Sequence, residues 1–135
     1  MNNSLLLFAT KCSVILYFAT FTSINNLSVV RTVTPVITKG AWKAEISAGQ
    51  VNQLDGYSFT FNASGHVKAS KNGVEINGNW AEDNISKKIS LNLGSADPAL
   101  TQLNNYWEIK YFNNSMVSLQ NTSASANIKL DIRVL

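Results

Sequence analysis

Few side chains in this sequence have the chemistry of a catalyst. The one histidine, His66, follows the turn sequence "NASG" (62–65) and alternates with apolar Val67, which points it to solvent with no partner as base, metal ligand or pH switch. The eight carboxylates are scattered, and Glu45, Glu75, Glu108 and Asp131 fall at polar positions of alternating segments. Only Glu82, Asp83 and Asn84 cluster. Their oxygens are of the kind that bind calcium, but they stand between two apolar-periodic segments, where a solvated turn is expected. No Gly-x-Ser-x-Gly, phosphate loop or zinc spacing occurs. With no nucleophile–base pair and no second general acid, the expectation is a protein that is not an enzyme and has no cofactor and no metal.

What the sequence builds instead is surface with two faces. From Ala41 onward, apolar and polar residues alternate with the period of half-buried strands. Trp-containing segments carry the pattern best: Trp42, Ala44 and Ile46 share one face, and Val74, Ile76, Gly78 and Trp80 share another. Tyr57, Phe59 and Phe61, then Val67 and Ala69, then Ile89, Leu91 and Leu93 continue it. Trp107, Ile109 and Tyr111, the short pair Val117 and Leu119, and Ile128, Leu130, Ile132 and Val134 complete eight segments. "KNGV" (71–74) is an Asn-Gly hairpin turn, and "NASG" and "NNS" (113–115) are tight turns of the same chemistry. "SADPALTQLNN" (95–105) breaks the alternation. Ser95 or Asp97 can cap a helix there, Pro98 suits its first position, and Leu100 and Leu103 are spaced for one face. Eight strands in sequence without long crossovers predict an all-β, up-and-down antiparallel barrel with one short helix between strands five and six, rather than a Greek-key sandwich.

The 135 residues allow one such domain. Residues 1–24 read as an export signal: Lys11 precedes an apolar run, Val14 to Phe21, that is short for a bilayer span and is followed by small residues. The alternative for this segment is an uncleaved anchor, the one expected membrane contact. Cys12, the only cysteine, lies within it, so the remaining chain has no disulfide. Residues 25–39 read as an extended linker, because β-branched residues and Pro35 disfavour a helix. The domain proper is 40–135. Without Lys11 the balance is ten Lys/Arg against eight Asp/Glu, spread singly apart from Lys87–Lys88, which is no nucleic-acid footprint. A monomer is expected. The six Asn-x-Ser/Thr triplets follow from turn chemistry.

"GAW" at 40–42, "YSFTFNASGHV", "VEINGNW", "ISLNL" and "LNNYWEI" are similar in order and spacing to the small lipocalin-like proteins exported by Bacteroidota-type bacteria. The resemblance runs from Gly40 to Leu135 and implies a barrel able to hold a small apolar molecule. Lipocalins also pack an arginine of the last strand on the first tryptophan. Arg133 is near that place, but its parity puts it outside, so the role is not transferred.

Strand direction sorts the inward residues into two ends. Gly40, Trp42, Phe61, Gly78, Trp80 and Tyr111 collect at an aromatic-rich end with short turns, expected to be the closed base. Ile46, Tyr57, Ala69, Val74 and Ile76, with Leu93, Trp107, Leu119 and Ile128, collect at the other end, which also receives the longer connections 47–56, 94–105 and 120–127. Two functions follow as expectations. One is an apolar ligand held at this mouth, beneath the 95–103 helix and between Tyr57 and Trp107. The other is a filled barrel that acts through its outer face and loops as an inhibitor or interaction module.

Overall fold

The structure, a computed structural model, describes residues 31–47, 52–121 and 127–135. The expected export segment and residues 25–30 of the expected linker lie outside them. Eight strands follow one another: β1 Ala41–Ile46, β2 Ser58–Phe61, β3 His66–Lys71, β4 Val74–Asp83, β5 Lys88–Asn92, β6 Asn105–Phe112, β7 Met116–Asn121 and β8 Lys129–Val134. Each pairs antiparallel with its neighbour in sequence, and β8 returns to β1 from Trp42↔Val134 to Ile46↔Leu130. The up-and-down barrel is therefore closed, as the alternation predicts, and it leaves no strand edge to protect. At the Asn-Gly turn both Asn72 and Gly73 have positive φ, 52° and 79°, the conformation a two-residue hairpin requires. Asn62 and Asn113 close their turns by accepting from the Ser64 and Ser115 amides at 3.0 and 2.9 Å.

Residues 32–39 do not form an extended linker. The compact unit runs Thr32–Leu135, and Thr34–Ile37 form a helical turn, α1, with Pro35 in its first turn and Val33 and Ile37 fully buried. Burial outweighs the low helix propensity of Val and Ile, and proline at a helix start removes no needed donor. Nor is Glu82 part of a solvated turn. Two positions beyond Trp80 on the same face of β4, its carboxylate accepts from Val33 N at 2.7 Å, Thr34 N at 2.8 Å and Thr34 Oγ1 at 2.6 Å. One side chain thus takes the amides a short helix leaves unbonded and ties α1 to the barrel wall. Glu82→Ala is expected to lower stability by about 2 kcal/mol, because these donors lose a charged acceptor. A lower urea midpoint with an unchanged slope would register the loss.

Three expected inward positions are exposed. In β6, Ile109 pairs with Leu119 but Tyr111 with Ser118, so Lys110 is an extra residue on that strand. The bulge turns Tyr111 outward, 52% exposed, and half-buried Phe112 takes the place opposite Val117. Tyr111 is therefore not a base residue. Val74 and Val134 keep inward parity but end their strands where nothing covers them, 64% and 43% exposed. Elsewhere the core follows the pattern, with Trp42, Phe59, Trp107, Leu119 and Leu130 fully buried.

Candidate functional site at the barrel mouth

The connection from β5 to β6 crosses the mouth. Its helix, α2 (Pro98–Thr101), lies where "SADPALTQLNN" predicts it, with Asp97 as cap and its Oδ1 accepting from Ala99 N at 2.8 Å. Leu100 and Leu103 point down and are buried in the core with Leu54 from the 47–56 connection. Polar contacts hold the lid on three sides. The Tyr57 hydroxyl donates to Asp97 Oδ2, and the Trp107 indole N–H donates to the Leu103 carbonyl at 3.0 Å. On the β5 side, Asn104 Oδ1 accepts from Leu93 N at 2.6 Å while its Nδ2 donates to Gly94 O at 2.7 Å. Asn104 thus continues the ladder that β5 abandons after Asn92.

Tyr57 is fixed from outside as well. Lys71 Nζ stands 5.0 Å from its ring centroid and donates to the Asp55 carbonyl at 2.7 Å. The contact with Asp97, more than burial, raises the Tyr57 pKa, while the Tyr57 hydroxyl and then the Ala99 amide lower that of Asp97. A depressed carboxylate stabilises the fold above its unfolded value near pH 4, and that contribution is lost as pH falls through the folded value. A raised phenol stabilises below its unfolded value near pH 10, and that contribution is lost as pH rises through the folded value. Tyr57→Phe is expected to lower stability at neutral pH by about 1 kcal/mol and to flatten both flanks of a melting temperature–pH profile.

Of the expected ligand-binding residues, all but Val74 face the core. Tyr57, Ala69, Leu93, Trp107 and Leu119 are buried, and Ile46, Ile76 and Ile128 are half-buried against the same core. Trp107 pairs with Ile89, so its backbone lies level with a base residue while its indole reaches the lid. Val74 lies outside the interior. With Tyr57, Lys71, Asn72, Ile76, Ala96 and Asp97 it lines an open crevice of about 420 Å³ beside the lid. Inside, among Ala44, Phe59, Phe61, Val67, Leu103 and Leu130, the void is about 10 Å³. That is room for about one water.

At the base, Phe61 and Trp80 meet edge to face at 5.6 Å, and Trp80 Nε1 donates to Asn62 O at 2.8 Å. Trp42 is buried, and among the described residues its Nε1 has no hydrogen-bond partner. Arg133 faces out, 3.7 Å from Asp131. Sequence reasoning missed Asp97 as a latch, Asn104 as a ladder substitute and Leu54 as core. For Asp97 and Asn104 the signal was present, since each flanks the predicted helix.

The molecule is a lipocalin-like eight-stranded antiparallel barrel. Among solved structures it is similar to a DUF4847 family protein from Bacteroides vulgatus, at 14% identity and a TM-score of 0.56 over 76% of this chain and 96% of that one. It is also similar to a lipocalin-like protein from Bacteroides uniformis, at 16% identity and a TM-score of 0.51 over 73% of this chain and 98% of that one. At these identities the likeness concerns the fold. No protein-family model matches the sequence, and neither does any curated protein.

Proposed function

We propose that the protein is an exported, monomeric, non-enzymatic barrel that works through its outer surface, its interior being filled by its own side chains. The observation that carries this reading is the internal void of about 10 Å³. Pockets for small molecules enclose roughly 300–1,000 Å³. Leu54, Leu100 and Leu103 enter from connections and occupy the space a ligand would need. Export rests on residues 1–24, and the mass of the mature protein tests it: loss of an N-terminal segment ending near residue 24 is the expected result.

A second reading is carriage of a small apolar ligand at the mouth. It is favoured by one feature: Leu100 and Leu103 reach the core from a connection rather than a strand, next to a crevice lined by Tyr57, Val74 and Ile76. In that reading the lid swings away and the ligand replaces the two leucines. Titrating the protein with cis-parinaric acid while following tryptophan emission separates the readings. A filled barrel gives no saturable change. Saturable quenching that is reduced in Trp107→Phe would establish the interior site instead.

A further inference from the structure

We propose that the outer face of β4, β5 and β6 is a groove that binds a neutral oligosaccharide, an inference that rests on the surface-acting reading above. Two adjoining depressions of about 490 and 500 Å³ lie on this face and share Ala81, Ser90 and Tyr106. The register explains their shape. Ala81 pairs with Ser90 and Ser90 with Tyr106, so two small side chains form a floor beside a tyrosine ring that is 66% exposed. One rung toward the mouth, Asn79 pairs with Asn92, and both are exposed.

These asparagines run against local preference, since asparagine is depleted in strands. At Asn62 and Asn113 the residue closes turns and at Asn104 it extends a ladder, while Asn77, Asn105 and Asn121 also stand in strands. Asn79 does neither. Among the described residues its amide, the Ser90 hydroxyl and the Tyr106 hydroxyl make no side-chain hydrogen bond. Asn92 uses only its oxygen, which accepts from Gly94 N at 3.0 Å, leaving its NH₂ group available.

The charges bordering the groove are already engaged. Glu82 holds α1, Asp83 accepts from Ser86 Oγ at 2.6 Å, and Glu108 pairs with Lys110 at 2.8 Å, while Lys88 stands across the strands from Asp83 and Glu108. A cation would therefore find both lining carboxylates already taken, and an anion would meet two carboxylates, Glu82 and Asp83, beside the single Lys88. A lipid would find too little apolar surface, and a protein partner would find a single aromatic anchor. A pyranose fits what remains. Its C–H face packs on an exposed aromatic ring, and its neighbouring hydroxyls, each donor and acceptor, match planar amides that offer both.

The test is titration of the full chain with xylopentaose, maltopentaose, mannopentaose and chitopentaose, followed by calorimetry and by amide shift changes. At least one sugar is expected to bind, shifting signals of Asn79, Asn92 and Tyr106. Tyr106→Ala and Asn79→Ala, exposed changes whose fold is checked by circular dichroism, are each expected to weaken binding about tenfold or more, whereas Lys43→Ala on β1 leaves it unchanged. Failure of all four sugars to bind, or binding undiminished in Tyr106→Ala, overturns the proposal. So does a protein ligand that is lost in these variants without any sugar response. The two readings fail separately: parinaric acid entering the interior refutes the filled barrel, whereas a sealed barrel that ignores all four sugars refutes only the groove.

Discussion

Gly78→Ala is expected to lower stability by about 3 kcal/mol or more. A Cβ at this position would lie 2.3 Å from the Asn92 carbonyl oxygen and 2.9 Å from the Leu93 Cα. Both are backbone atoms, so no rotamer change relieves the contact. The close approach has a structural reason. After Asn92, β5 leaves its ladder with β4, and Leu93 N bonds to Asn104 instead. The chain can press across β4 at this point because Gly78 has no side chain. The substitution forces β5 away from β4 and disturbs the start of the lid. A melting temperature lower by more than about 10 °C is the expected reading. A change within a few degrees would mean that β5 need not approach so closely.

Leu103→Ala is expected to cost about 2–5 kcal/mol, since Leu103 is 2% exposed and lines the internal void. The variant has a further signature. Three carbons removed beside an existing apolar void leave a dry cavity of the kind that admits a small aromatic molecule. Benzene near saturation should therefore raise the melting temperature of Leu103→Ala and leave the wild type unchanged. Equal stabilisation of both proteins would show that the native interior already has room, contrary to a filled barrel.

Much of this fold is legible in the sequence because an up-and-down barrel is local: each strand pairs with the next, and period-two alternation states which face is inward. The Asn-Gly turn at 72–73 and the Asp97–Pro98 start of α2 are set by residues within a few positions, and both are found as expected. What is not legible depends on partners far along the chain. Nothing near Pro35 announces that Glu82, some 48 residues away, will hold a helical turn at Thr34. The bulge at Lys110 carries no glycine to mark it, so Tyr111 reads as inward although the register turns it out. The residues named from alternation for the mouth do face the core, apart from Val74. Whether they enclose space depends on how far Leu100 and Leu103 descend, and alternation is silent on depth. The groove beside Tyr106 was hidden for another reason: its residues occupy the polar half of the pattern, which a search for an apolar site discards.

A filled barrel requires that the 94–104 connection be part of the core and not a gate. Hydrogen exchange tests it most directly, at the Trp107 indole N–H bonded to Leu103 O and the Leu93 amide bonded to Asn104. If the lid belongs to the core, both protons exchange with the free energy of global unfolding, matching amides in the centre of β7 and β8. Exchange of these two protons at a far lower free energy, while β7 and β8 stay protected, would mean that the mouth opens in the native state and would contradict the filled barrel.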